Sequence, residues 1–408
     1  MQSDPTQARF LIIGAGQAGA ALAARLRALG HAGPLTLVGA EPDAPYQRPP
    51  LSKAYLKREI DAERLHLRPP SFYAAEGIAL VTGTEVAAID RAARIVRLSD
   101  GSSLAYDRLA LTTGAEPRRL PAAIGGDLPG VFTLRDRSDA DALGAVLRRG
   151  ARAVIVGGGY IGLEAAAVLA GAGLEVALVE AAPRILARTA APATADYFRA
   201  LHEGHGVRLL EGVALARLTG ERHVDGVALA DGRLLPADLV LVGIGVVPRD
   251  GLARAAGLAT EDGILVDAAG RTSDPAIFAA GDCTRFPHGA GRIRLESVPN
   301  AIDQAEAVAE AMLDRPVAYA ARPWFWSDQY DVKLQIAGLG AGFDRTVTRP
   351  GARSGAQSVW YFEGPRLLAV DAMNDPRAYM TGKRWIEAGF SPDPERLADP
   401  GTDLKALG

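Results

Sequence analysis

Two glutamates, Glu41 and Glu180, each close a stretch that opens on three glycines, and the pairing of bare backbone with an acid points to nucleotide chemistry. In the run ending at Glu180, AVIVGGGYIGLEAAAVLAGAGLEVALVE, a short apolar strand leads into Gly157, Gly159 and Gly162 at G-x-G-x-x-G spacing. The first glycine permits a tight turn, the second lets backbone N–H groups approach a pyrophosphate, and the third lets helix pack on strand. The start of the alanine-rich helix then faces the anion. A carboxylate at the end of the second strand accepts hydrogen bonds from ribose hydroxyls and repels a 2′-phosphate, so Glu180 predicts NADH over NADPH. Arg184, four residues on, leaves that choice open.

The unit occurs twice. FLIIGAGQAGAALAARLRALGHAGPLTLVGAE repeats it with Gly14, Gly16, Gly19 and a terminal Glu41. Downstream of each copy an Asp-Gly pair, Asp100-Gly101 or Asp231-Gly232, sits between strand-like runs as a hairpin turn does. A further apolar strand follows each, ending at Gly114 or Gly245. The expected fold is therefore α/β with two Rossmann-like dinucleotide-binding domains related by duplication. Two dinucleotides in one chain imply electron transfer between them.

Composition limits the alternatives. With 408 residues, the chain is long enough for two or three domains with buried cores. A net charge of -3 argues against nucleic-acid binding, whose footprint is a basic domain. No apolar run approaches the length of a membrane span, the N-terminal MQSDPTQARF lacks the regions of a signal peptide, and a cytoplasmic location is expected. No metal site is expected. The single cysteine, Cys283, cannot form an intramolecular redox disulfide and reads as a small buried residue.

After Glu41 comes PDAPYQRPPLSKAYLKREI, a rigid loop in which Ser52 is placed to cap a helix beginning near Lys53. Here the sequence resembles the FAD-dependent, NADH-linked ferredoxin reductases of bacterial oxygenase systems, and the resemblance covers nearly the whole chain, with RPPLSK its most specific motif. It implies a glutathione reductase-like arrangement: a discontinuous FAD domain (1–114 and 246–322), a NAD domain (115–245) and a small α+β C-terminal domain (323–408). It implies hydride transfer from NADH to FAD, then single electrons to a [2Fe-2S] ferredoxin serving a cytochrome P450 or, less so, a ring-hydroxylating dioxygenase. The same domains also serve rubredoxin or nitrite-reductase electron donors, NADH oxidases and redox-sensing flavoproteins.

The resemblance assigns Gly14, Gly16, Ala18, Gly19, Arg48, Lys53, Val86, Thr113, Gly114 and Arg135 to FAD. It adds Gly281-Asp282 in DPAIFAAGDCTRF, Val298 and Trp326. Many members carry an acid before the strand-end glutamate; Ala40 stands there in this chain, leaving Glu41 alone for the FAD ribose. Gly157, Gly159, Ile161, Gly162, Glu164, Glu180 and Gly245 fall to NAD. Glu164 is implied to face Lys53 across the flavin, where each charge holds the other and the lysine stabilises negative charge as hydride arrives. Trp326 is implied to seal the flavin rim. Some relatives that serve dioxygenases carry an aromatic residue at the position of Val298, so its absence favours the P450 branch.

The elements between these motifs read as follows. SFYAAEGI predicts a helix and ALVTGTEVAAID one strand; Ser138 or Asp139 caps the next helix; another begins near Pro299. From Pro323, alternating apolar residues with a Gly-Pro turn predict a small antiparallel sheet and a helix, with Trp324 as packing. The tail after Gly389 reads as a surface segment. Lys57, Arg58, Arg64, Arg294, Lys333, Lys383 and Arg384 are candidates for steering an acidic ferredoxin.

Overall fold

A computed structural model describes residues 4–408. Short runs of uninterrupted apolar residues are the signature of parallel strands covered on both faces, and the chain uses them twice. Strands Ile277–Ala279, Arg108–Leu111, Phe10–Ile13, Leu35–Val38 and Ile78–Val81 lie side by side in that order, all parallel. A second parallel sheet orders Val131–Phe132, Leu239–Val242, Arg152–Val156, Glu175–Glu180 and Arg208–Glu211. The two sheets match strand for strand, except that the edge strand comes late in the chain in the first and early in the second. Each has its own three-stranded antiparallel meander, Val86–Asp90, Ile95–Leu98 and Ser103–Ala105 or Leu215–Thr219, Gly226–Leu229 and Leu234–Pro236. The predicted Asp-Gly turns close one hairpin in each, with Gly101 and Gly232 both at φ near 90°.

The third part is the predicted antiparallel sheet, ordered Trp324–Gln329, Val332–Gly338, Arg366–Met373, Gln357–Glu363 and Arg345–Pro350, with the helix Pro376–Ala388 packed on it. Backbone contacts divide the chain into two compact units. One comprises residues 4–47, Asp61–Glu116 and Val246–Arg322; the other comprises Arg48–Ile60, Pro117–Gly245 and Pro323–Gly408. The Arg48–Ile60 loop thus folds with the second nucleotide sheet and the C-terminal part. Among the described residues no helix is long and apolar enough to cross a membrane.

Four expectations are corrected. The single strand expected from ALVTGTEVAAID is two strands in different sheets, parted at Gly83, whose φ of 68° breaks the extended run. The helix after Arg135 is capped by Asp136, whose carboxylate accepts from Asp139 N–H, while Asp139 itself turns back to accept from Arg135 N–H at 2.9 Å. No α-helix starts at Lys53; Pro49–Ser52 is a 3-10 turn that ends there, because Lys53 lies at φ -133° and ψ -113°, outside the helical region. The tail after Gly389 is more than a surface segment. Leu397, Leu404 and Leu407 enter the C-terminal core, and the buried Arg349 guanidinium donates to the carbonyls of Leu397, Asp399 and Pro400.

Candidate active site

Each nucleotide turn is built where a parallel strand ends. Gly14 follows Phe10–Ile13 at φ 114°, and a Cβ there would lie 2.1 Å from the Thr112 carbonyl oxygen. Gly19 is equally constrained, since its Cβ would stand 2.0 Å from Gly14 O. Gly16 differs: a Cβ would meet nothing within 4 Å. The fold does not require glycine there, but an anion drawn to the backbone does. Gly16 is the N-cap of helix Gln17–Ala28 and no side chain caps it, so the first-turn N–H groups face that same opening. The second copy repeats every feature, with Gly157 2.4 Å from Gly243 O, Gly162 2.1 Å from Gly157 O, and Gly159 open and uncapped. Both cradles therefore fit a pyrophosphate.

The predicted FAD residues of the first unit gather at the carboxyl ends of adjacent strands. Glu41 follows the second strand and accepts from the Tyr46 hydroxyl, a partner the sequence reading missed. Thr113 and Gly114 follow Arg108–Leu111, and Thr113 Oγ1 donates to Arg249 O at 2.6 Å. Gly281 follows Ile277–Ala279; a Cβ there would come within 3.1 Å of Ala18 Cβ, so small residues at 18 and 281 let the glycine turn and this strand end meet. Asp282 is half-buried beside it. Val298 opens helix Val298–Met312, which starts one residue before the expected Pro299 and is capped by Ser297. Val86 begins the meander strand, half-buried.

In the second unit, the acid closing the Glu175–Glu180 strand accepts from Gly158 N–H and Ala182 N–H, both at 2.7 Å, which fixes its carboxylate beside the glycine turn. Arg184, which left the choice of nucleotide open, donates to Ala190 O at 2.7 Å and lies near two further carbonyls. Its guanidinium is thus held by backbone instead of being presented to a phosphate. Ile161 is 47% exposed in the first turn of helix Tyr160–Gly171. Gly245, at φ 93°, lies just beyond the carboxyl end of the Leu239–Val242 strand. Arg48 Nη1 donates to Arg135 O at 2.8 Å, so the two arginines assigned to FAD lie together.

The expected pair is present, but in direct contact, so the two charges do not face each other across a ring as the resemblance implied. Lys53 Nζ lies 2.9 Å from Glu164 Oε1, with side chains 19% and 3% exposed. Charges that deep need all their bonds, and two residues missed from the sequence supply them: Ser52 Oγ donates to Glu164 Oε2 at 2.8 Å and Ser327 Oγ to Oε1 at 2.7 Å. Ser52 is therefore a carboxylate ligand and not a helix cap. A buried polar position in an otherwise aromatic strand, WFWSDQ, is the signal that marks Ser327. Alternation along that strand turns Phe325, Ser327 and Gln329 one way and Trp324, Trp326 and Asp328 the other. Phe325 meets Tyr160, with ring centroids 5.0 Å apart, one helical turn before Glu164. Trp326 is half-buried, 5.6 Å from Trp324, over which Lys383 sits.

Cys283 is buried in the first unit's core, its Sγ donating to Ala280 O and Leu111 O, and burial pushes the thiol above its ordinary range. A thiol held protonated is a poor nucleophile. Of the basic candidates, Arg294 is 14% exposed and bonded to Glu296, with Asp262 at 3.5 Å, which removes it as a steering charge.

A duplicated dinucleotide fold with two anion cradles and a buried lysine–carboxylate pair defines a two-nucleotide oxidoreductase. Residues 8–305 match the family described as Pyridine nucleotide-disulphide oxidoreductase, and residues 324–408 match Reductase C-terminal. The chain is 45% identical to a probable ferredoxin reductase, CtmF, of Castellaniella defragrans, over 98% of both chains. It is 40% identical to the ferredoxin–NAD(+) reductase component of an anthranilate 1,2-dioxygenase system of Burkholderia cepacia, over the full length of both. The reductase in the crystal structure of a covalent putidaredoxin reductase–putidaredoxin complex superposes with a TM-score of 0.94 at 41% identity, over 98% of both chains. The chain belongs to the pyridine nucleotide-disulphide oxidoreductase family, among its ferredoxin reductases. It is an FAD-dependent enzyme whose substrate is a nicotinamide nucleotide.

Proposed function

We propose that this chain takes hydride from NADH onto FAD and passes electrons singly to a [2Fe-2S] ferredoxin that supplies a cytochrome P450. The observation that carries the reading is the pair of matching cradles in one chain, each with an open second glycine and a strand-end acid. Bound FAD supplies the chemistry of accepting two electrons together and releasing them one at a time. The first unit's cradle, with Glu41, Thr113, Gly114, Gly281, Asp282 and Val298, holds the FAD. Arg48 and Arg135, which lie together, are assigned to FAD for their positive charge, and Val86 for its backbone. The second cradle, with Ile161, Glu180 and Gly245, holds NADH. A fixed Glu180 and an Arg184 held by carbonyls favour NADH over NADPH.

Lys53, ion-paired with Glu164, presents a fixed cation beside which negative charge develops as hydride arrives. Trp326 screens the cofactor edge. Lys57, Arg58, Arg64, Lys333, Lys383 and Arg384 are the remaining candidates for steering the acidic partner, and the lack of an aromatic ring at Val298 supports the P450 reading. The buried, protonated thiol of Cys283 speaks against a cysteine-dependent NADH oxidase or peroxidase. The test is cytochrome c reduction with NADH and with NADPH, with and without a panel of P450-linked and dioxygenase-linked ferredoxins. The expected result is turnover with NADH that rises most with P450-linked ferredoxins; turnover with NADPH alone, or acceleration by none of the ferredoxins, would overturn the reading.

A further inference from the structure

Behind the Lys53–Glu164 pair the hydrogen bonds do not stop. Ser327 Oγ, 2.7 Å from Glu164 Oε1, lies 3.2 Å from Gln329 Nε2; Gln329 Oε1 lies 2.8 Å from His202 Nε2; and His202 Nδ1 lies 3.4 Å from the Tyr330 hydroxyl. Glu164, Ser327, Gln329 and His202 are each buried to 2% exposure or less, in one compact unit. An amphipathic helix, Pro192–Gly204, has no packing need for a fully buried imidazole, and a core strand has none for a buried serine and glutamine two residues apart.

The chemistry of the groups sets the direction of this chain. The ion-paired Glu164 oxygen is acceptor only, so Ser327 must donate to it. Ser327 has one hydrogen, so its oxygen must accept from the Gln329 amide nitrogen. That leaves Gln329 Oε1 as acceptor and requires hydrogen on His202 Nε2, with Nδ1 accepting from Tyr330 O–H. Each bond points the same way and each strengthens the next. The opposite histidine tautomer would turn the amide round and set the Ser327 lone pairs against the carboxylate.

We propose that His202, Gln329 and Ser327 form a directional positioning chain that locks the Glu164 carboxylate onto Lys53 and so sets the rate of flavin reduction. The role rests on the proposed part of Lys53 in hydride transfer. It is a positioning role, since none of the three meets the Lys53 ammonium. Burial supports it by holding His202 neutral, pushed down to about 4.

Two measurements test it. Nitrogen NMR of histidine-labelled protein, with His202→Gln for assignment, should show His202 neutral at pH 7 with hydrogen on Nε2; the Nδ1–H tautomer overturns the proposal without reference to activity. Ser327→Ala should keep its FAD and fold but be reduced by NADH roughly fivefold more slowly, the scale of one hydrogen bond, with KM for NADH unchanged. In a Lys53→Met background the same substitution should have no further effect. If Lys53→Met slows reduction while Ser327→Ala does not, or if the two effects multiply, the chain has no positioning role. If Lys53→Met itself leaves the rate unchanged, the reading of Lys53 fails and the chain's catalytic role falls with it, whatever the tautomer.

Discussion

Replacing Lys53 by methionine leaves the Glu164 carboxylate, 3% exposed, without its cation. Removing one partner of a buried pair costs about 3–5 kcal/mol, because the remaining charge stays in a poor solvent. Here Ser52 and Ser327 keep donating to both oxygens, and the lysine is 19% exposed, so the lower end applies, about 3 kcal/mol. Glu164→Gln should cost less, since the Lys53 head can turn towards water. The double variant Lys53→Met/Glu164→Gln should recover most of the loss, to within about 1 kcal/mol of the parent, because no uncompensated charge remains. Denaturant unfolding followed by tryptophan fluorescence reads the right unit: Trp324, Trp326, Trp360 and Trp385 all lie in it. Single-variant losses that add in the double, or a Lys53→Met loss below about 1 kcal/mol, would refute the view of this pair as a mutually dependent buried ion pair.

The remaining predictions concern the cradles, a second buried acid and the lysine in turnover. Gly159→Ala should fold normally, because its Cβ meets nothing within 4 Å, yet raise KM for NADH about tenfold or more; Gly157→Ala, 2.4 Å from Gly243 O, should compromise folding itself. Equal thermal stabilities for the two would contradict this. Burial pushes the Asp371 carboxyl up to about 6, with Tyr361 and Thr194 hydroxyls donating to it. Its raised value contributes stability that is present below about pH 4 and lost as pH rises through about 6, roughly 3 kcal/mol in all. Asp371→Asn should therefore flatten that part of the stability profile, whereas His202, with its lowered value, acts in the opposite sense, its contribution lost as pH falls through about 4. An unchanged pH 4–6 profile in Asp371→Asn would exclude the assignment. Lys53→Met should retain FAD and slow flavin reduction at least tenfold in stopped flow; an unchanged rate would remove Lys53 from the mechanism.

Local rules carried the nucleotide turns, their acids and the duplicated sheets, because a glycine spacing and a period of apolar residues depend only on near neighbours. Even the strand order of the second sheet follows the first. What stayed hidden depends on partners far along the chain. Ser52 looks like a helix cap until the backbone leaves the helical region at Lys53 and a carboxylate more than a hundred residues away takes its hydroxyl. Ser327 and Gln329 look like ordinary strand polar residues, and only tertiary packing shows that they face a carboxylate and a histidine. Asp136 displaced Ser138 and Asp139 as a cap because all three suit the position and only the backbone path chooses among them. The tail stayed hidden for a related reason: Pro394–Ala398 and Leu404–Ala406 are separate single turns, and only tertiary packing shows that Leu397, Leu404 and Leu407 share a core.

Two nucleotides working in one chain are the core of this enzyme, and anaerobic spectroscopy of the purified protein addresses that most directly. We expect a yellow protein whose flavin absorbance bleaches within a second of adding NADH and returns when oxidised [2Fe-2S] ferredoxin follows. A folded protein that is colourless after incubation with FAD, or one that stays oxidised under excess NADH, would contradict it.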